Sequence, residues 1–417
     1  MNITEKIIAA HANQREVVPN EIVEVDVDWC MLNDATITIT KDIFYNQFGF
    51  KQVFDKNKVV FIMDHRIPAD SIDTAVGQEI SRTFGRELGI KIHENDGVCH
   101  QIMLENYVQP AELIVAADSH TCSYGCVGAV SVGMGSTDIA AVMGTGKTWF
   151  KVPETMKIIL TGKLKRGVYA KDVILYIIRQ ISCSGATYKA VEFCGEFTNN
   201  LSISERFTIC NMVIEAGGKS AMISPNEQIK KFYNKNKNIN WELLKPDEGA
   251  KYSEILEYDV SDITAQVACP HHVDNVKDIA DVIGTEINQA FLGGCVNGKL
   301  DDLEIAAKLL KNKKVNRDVR LLIVPSSVKI YREAIKKGYI DIFLDAGATI
   351  NHPGCSTCWG ASVGSLAPGD AMISSGTRNF RGRAGSKDSE VYLASPATVV
   401  ASAIKGAITN PSEEEMV

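Results

Sequence analysis

Val23-Glu24-Val25-Asp26-Val27-Asp28-Trp29 alternates apolar and polar residues with a period of two, the pattern of a strand with one buried face. Other apolar runs are short and continuous, as strands buried on both faces are. Val59–Met63 delivers Asp64-His65-Arg66 at its end, and Leu113–Ala117 delivers Asp118-Ser119-His120-Thr121. Thr155–Gly162, Gln289–Leu292 and Arg320–Pro325 read as further strands. Helical periodicity appears at Ile72–Leu88, Ala170–Ile181, Phe207–Ala216 and Leu303–Lys311, the third ending at Gly217-Gly218. Gly125–Gly146 is dense in small residues and predicts close backbone packing. Asn226–Tyr258 is rich in Lys and Asn and reads as a surface excursion. Strand–helix alternation of this kind predicts an α/β protein with parallel pairing. At 417 residues the chain exceeds one core, and breaks in rhythm near Pro153 and Ala268 divide it into α/β units at 1–153, 154–267 and 268–417.

Composition narrows the function classes. A net charge of −7 argues against a surface made for nucleic acid. No apolar run is long enough to span a bilayer, and Met1-Asn2-Ile3-Thr4-Glu5-Lys6 has no signal-peptide character. The eleven cysteines are odd in number and lack a disulfide rhythm, so a reducing cytoplasm is the expected setting. Cys30, Cys183, Cys194 and Cys210 read as small buried hydrophobes. The tail, Glu413-Glu414-Glu415, reads as a solvated acidic end.

Three other cysteines stand apart. Cys355 and Cys358 lie in Asn351-His352-Pro353-Gly354-Cys355-Ser356-Thr357-Cys358-Trp359-Gly360, and Cys295 lies in Gly293-Gly294-Cys295-Val296-Asn297-Gly298. Glycine lets backbone approach a bulky ligand. Three thiolates from two such loops can hold three irons of a [4Fe–4S] cluster, leaving one iron without a cysteine and able to act as a Lewis acid. Asp118-Ser119-His120 can form an acid–base group, the carboxylate fixing the imidazole; the plainer alternative is a helix cap with a satisfied histidine. His65 and His100 add imidazoles near loops, each alone more often structural than catalytic. Asn211 and Glu215, four apart, share a helical face and either hold one ligand or pair with solvent. Arg378 and Arg383 make a basic loop in an acidic protein, suited to gripping carboxylates. Ala141-Val142-Met143-Gly144-Thr145-Gly146-Lys147-Thr148 imitates a phosphate loop, but helix rather than strand precedes it. Zinc sites at His120, Cys122 and Cys126, or at Cys269, His271 and His272, lack paired ligand spacing.

Taken together and in order, these motifs resemble the aconitase superfamily, in its branch of separate large subunits of 3-isopropylmalate dehydratase and homoaconitase type. The resemblance implies three α/β/α-type domains around a common cleft, without the swivelling fourth domain. It implies Cys295, Cys355 and Cys358 as ligands of a [4Fe–4S] cluster with one non-cysteine-ligated iron. Asp118, His120, His65, His100 and Glu215 match catalytic positions, with His120 helping to protonate the departing hydroxyl. Asn33, Ser119, Asn211, Thr377, Arg378 and Arg383 match substrate-side positions. Gly294, Val296 and Thr377 depart from the usual Ser, Thr and Asn. The implied partner is a small subunit carrying the swivelling domain and the catalytic base, and the implied substrate a small hydroxy di- or tricarboxylate. That is a hydro-lyase, with 3-isopropylmalate first and homoaconitase- or 2,3-dimethylmalate-type substrates next. Two other classes remain in view: a cluster-sensing RNA-binding protein, and an electron carrier, which would want four cysteines.

Overall fold

The computed structural model describes residues 1–233, 239–360 and 363–414. Three sheets carry the fold. The first runs Lys91–Glu94, Val59–Met63, Trp29–Asn33, Leu113–Ala116, Val130–Gly133, with every neighbouring pair parallel. The second runs Ser220–Ile223, Ala190–Cys194, Thr155–Thr161, Glu254–Asp259, again parallel. The third runs Val276–Asp278, Gln266–Ala268, Glu390–Leu393, Ala371–Ser374, Gln289–Leu292, Arg320–Ile323, Thr349–Ile350. Its last five strands are parallel, and its first two join antiparallel. The mixed α/β architecture with parallel sheets is the one the strand–helix rhythm predicts.

Val59–Met63 is buried at every position, as a central parallel strand must be. The alternating run near the N-terminus forms Ile22–Asp26, which pairs antiparallel with Lys147–Lys151 in a separate ribbon and keeps its valines inside. Helices form at Ile72–Leu88 and Ala170–Ile181, with the bounds the pattern gave. Ser71 caps the first of these, and Gly89 ends it in the left-handed region. The phosphate-loop imitation is the end of helix Ser136–Thr145 running into a strand, so no phosphate cradle exists there. Gly125 explains the small-residue stretch: a Cβ there would lie 1.8 Å from the carbonyl oxygen of Ala221, in strand Ser220–Ile223 of the second sheet.

Two local expectations change. The helix predicted at Phe207–Ala216 is an α-helix only over Ile203–Asn211; it tightens to a 3-10 turn over Met212–Ala216 before Gly217 caps it. Glu215 therefore does not share a regular helical face with Asn211. The acidic tail is not freely solvated either. Glu414 is buried and pairs with Lys313 at 2.7 Å and Lys405 at 3.1 Å; Glu415 lies outside the described residues.

Candidate functional site

Ligand sites in open parallel sheets form beyond the carboxyl ends of the strands. Here the first sheet delivers Asn33 and Asp34, Asp64 and His65, and Asp118 at three such ends. The third delivers Cys295 after Gln289–Leu292, Cys355 and Cys358 after Thr349–Ile350, and Thr377, Arg378 and Arg383 after Ala371–Ser374. The two sets meet around a cavity of about 180 Å³. Its lining includes His65, His100, Asp118, Ser119, His120, Cys295, Cys355, Cys358, Thr377, Arg378 and Arg383. The loops also touch directly, the Cys355 N–H donating to the Asp64 carbonyl at 2.7 Å.

Carboxylates fix every imidazole in the cavity wall. His65 Nδ1 bonds Asp64 Oδ1 at 2.7 Å, and its Nε2 stands 3.9 Å from Asp118 Oδ2, beyond a direct hydrogen bond. Burial works against a charge on His65, but Asp64, Asp118 and Asp34 outweigh it and push its pKa up to about 10. His100 Nε2 bonds Asp118 Oδ1 at 2.8 Å while its Nδ1 meets the Tyr124 hydroxyl at 3.0 Å. His120 Nε2 bonds Glu215 Oε1 at 3.0 Å, and Asp118 and Glu215 raise its pKa against the effect of burial. Burial alone would raise the Asp118 carboxyl, yet His100 and His120 hold it well below the usual range.

Asp118 is also the N-cap of the 3-10 helix Ser119–Val127, accepting from the His120 N–H at 2.8 Å. The cap and the acid–base group proposed from the sequence are thus the same residue.

The sulfur side is built differently. Gly294 has φ +83°, a conformation that favours glycine, and a Cβ there would sit 3.4 Å from Cys358 Sγ. Ser356, between the paired cysteines, takes φ +51°. Hydrogen bonding from Cys355 leaves the proton on Cys355 and favours the thiolate at Cys358, which Arg383 and His120 also stabilise. The backbone N–H of Thr377 bonds Cys358 as well. Asn211 Nδ2 reaches Ser123 Oγ at 2.9 Å and Cys295 Sγ at 3.4 Å.

Asn211 and Glu215 do not line the cavity. Asn211 backs Cys295, whereas Glu215 sits behind the wall, its Oε1 accepting from His120 and from Arg378 Nε at 2.8 Å. Neither is left to solvent. Arg378 also donates to Ser119 Oγ at 3.0 Å.

Asn33, expected to face substrate, is 1% exposed and outside the lining. Its amide donates to Asp118 Oδ2 at 3.0 Å and accepts from the Thr36 hydroxyl, so it acts on Asp118 and has no reach into the cavity.

Sequence reading missed three contributors. Asp34 accepts the backbone N–H groups of Asp64, His65 and Arg66, at 3.0–3.1 Å, and so fixes that loop. Asp64 joins His65 to the Cys99 N–H at 2.7 Å; its position beside His65 at a strand end was the available signal. Cys99 is a fourth cysteine in the cavity wall, its sulfur within 4.8 Å of ligand atoms of His100 and Asp118. Burial and the charges of Asp64 and Asp118 raise its pKa well above the ordinary thiol value, which keeps it protonated.

The donor set fits an iron–sulfur cluster. Three cysteines converge from two glycine-bearing loops on one cavity. Buried polar atoms without protein partners gather round them, namely Asn211 Oδ1, Ser356 Oγ, Thr377 Oγ1 and Arg383 Nε. Such groups are costly unless something polar meets them.

A family model described as the aconitase family (aconitate hydratase) matches residues 5–285 and 280–406. The chain is 46% identical over 414 residues to a probable 3-isopropylmalate dehydratase large subunit of Methanothermobacter thermautotrophicus, covering 99% of both chains. It is 46% identical over 420 residues to a probable methanogen homoaconitase large subunit of the same organism, covering 99% of this chain and 98% of that one. With a 3-isopropylmalate dehydratase large subunit of Aquifex aeolicus it shares 44% over 421 residues, covering 99% of this chain and 97% of that one. Among solved structures, the holo-form of Thermococcus kodakaraensis aconitase X has the same fold, with TM-score 0.51, 14% identity, and coverage of 85% of this chain and 84% of that one.

Proposed function

The chain belongs to the aconitase family, and from that premise we propose that it is the cluster-binding large subunit of a hydro-lyase acting on a small hydroxy di- or tricarboxylic acid. The names of its relatives favour 3-isopropylmalate, with a homoaconitase-type substrate second. One observation carries the reading: three carboxylate-bound imidazoles, two arginines and three cysteines line a single cavity. When bound at Cys295, Cys355 and Cys358, a [4Fe–4S] cluster with one iron lacking a cysteine supplies a Lewis acid for the substrate hydroxyl. Cys99 groups with His100 and Asp118, whereas Cys295, Cys355 and Cys358 come from the two glycine-bearing loops, which supports three cysteine ligands rather than four.

The protein's own residues do the rest. Arg383, with an unpartnered Nε, and Arg378, set by Glu215 and Ser119, grip substrate carboxylates. Sequence reading gave the proton for the leaving hydroxyl to His120, but His120 spends Nε2 on Glu215. His65 is the better donor: Asp64 holds its Nδ1 and keeps it charged, and Nε2 has no direct hydrogen bond. Ser119 and Thr377, lining the cavity, orient the acid beside the sulfurs.

His65 acts on the hydroxyl side of the reaction, while His100 and His120 are tied to Asp118 and Glu215. The carbon-bound proton needs a base from elsewhere. A small subunit carrying a swivelling domain would bring it, in keeping with the relatives' designation as large subunits. An RNA-binding or purely electron-transferring role would leave the arginines and imidazoles without purpose.

The test is turnover under anaerobic conditions. The cluster-loaded chain alone should show negligible dehydration of 3-isopropylmalate. Adding a small subunit of the 3-isopropylmalate dehydratase type should raise the rate by a factor of at least roughly 10²–10⁴, the usual contribution of a positioned base. Comparable turnover without it would overturn the division of labour.

A further inference from the structure

Two lysines lie deep behind the cysteine loops. Lys171, on helix Ala170–Ile181, is 1% exposed, and Lys299, at the start of helix Leu300–Leu310, is 3% exposed. Lysine is rarely buried this far without an anionic partner. Neither forms a direct ion pair among the described residues; both spend their donors on backbone carbonyls. Lys299 Nζ donates to the carbonyls of Cys295 and Val296 at 2.9 and 2.8 Å. Its ammonium also lies 4.0 Å over the Phe207 ring. Lys171 Nζ donates to the carbonyls of Ser375 and Gly376 at 3.0 and 2.6 Å. Gly376 is itself packed on the sulfur of Cys358, at 3.4 Å from where its Cβ would stand.

Carbonyl oxygens could be satisfied by neutral donors at far smaller desolvation cost than a buried ammonium. Asp302, close to Lys299, has its carboxylate occupied by the N–H groups of Gly298 and Lys299 and the Asn297 amide. The carbonyls that Lys299 holds belong to the Cys295 loop, and Gly376, held by Lys171, packs on the Cys358 sulfur. We propose that Lys171 and Lys299 are positioning residues for the cluster: two buried cations, one behind each side of the sulfur site, that hold its loops by their carbonyls and offset the charge of three thiolates. Lys171 reaches across from the second unit to do so, which ties cluster retention to the packing of two units. This rests on the cluster reading above.

The test compares wild type with Lys171→Met, Lys171→Gln, Lys299→Met, Lys299→Gln and Lys299→Arg, each reconstituted anaerobically with iron and sulfide. Two readouts are taken: the rate of iron release to a chelator, and the cluster's midpoint potential from a titration followed by electron paramagnetic resonance. Circular dichroism of the cluster-free proteins identifies variants that fold, and one folded neutral variant at either position suffices. Neutral variants should release iron roughly 10–100-fold faster, the usual cost of removing a supporting group around a metal. Their potentials should move to more negative values, because a lost cation disfavours reduction. Lys299→Arg should stay near wild type in potential. Folded neutral variants with wild-type release and potential would overturn the proposal, as would a failure of all four neutral variants to fold while Lys299→Arg shows an altered potential. A wild-type chain that takes up no cluster would instead break the cluster reading, and the proposal with it.

Discussion

Asn33, Asp34, Asp64, His65, His100 and Asp118, at the ends of the first sheet, hold one another; each has a partner within 3.1 Å. The loops of the third sheet, around Cys295, Cys355 and Cys358, lean on backbone and on two buried lysines, and they leave buried atoms of Ser356, Thr377 and Arg383 without protein partners. The first wall has its hydrogen bonds made before anything binds. The second is arranged to be completed by a ligand. A catalytic donor needs a fixed tautomer and charge, whereas a cluster cradle must leave its inner side open. The contrast therefore fits a division of labour between proton chemistry and cofactor binding.

The most severe way to break this contrast is to remove a sulfur. Serine at Cys295, Cys355 or Cys358 should abolish uptake of a four-iron cluster, read as iron and sulfide per chain, and with it all turnover. Cys99→Ser should leave uptake unchanged, because Cys99 groups with His100 and Asp118 rather than with the cysteine loops.

Next is the donor. His65→Gln should lower kcat by roughly 10²–10⁴ while leaving the cluster spectrum intact. A larger loss in His120→Gln than in His65→Gln would return the proton to His120. Arg383→Lys loses planar bidentate reach but keeps the charge; KM should rise by about 10–100-fold, the equivalent of roughly 1.5–3 kcal/mol for a charge-assisted contact.

The proton wall should also set a pH limit on stability. The folded His65 has its pKa raised from 6.5 to about 10, so its stabilising share is fully present below pH 6.5 and lost as pH rises to about 10. Melting temperature of the cluster-free chain should fall over that window, and His65→Gln should flatten the fall. The smallest effect is expected at Asn33. Asn33→Ala removes one hydrogen bond to Asp118 and should cost about 1 kcal/mol in denaturant unfolding.

Much of this arrangement was legible in the sequence, for identifiable reasons. Strands buried on both faces are unbroken apolar runs, so Val59–Met63 and Leu113–Ala116 could be read, together with the residues they deliver. Glycine turns beside cysteine marked the sulfur loops. Asn33 was misread because a strand-end amide looks alike whether it faces a cavity or a neighbouring carboxylate. Glu215 was placed on a regular helix because nothing in Met212–Ala216 announces the 3-10 turn. Glu414 resembled a solvated tail because its partners, Lys313 and Lys405, come from distant parts of the chain. Lys171 and Lys299 were invisible for the same reason: burial of a lysine is a tertiary fact.

The measurement that meets the central claim most directly is Mössbauer spectroscopy of the chain reconstituted anaerobically with iron-57 and sulfide, before and after addition of 3-isopropylmalate and a small subunit. The account predicts four irons per chain, of which one changes its signal when the acid is added while three stay as they were. Four irons that all ignore the acid, or a site that takes up no cluster at all, would contradict it.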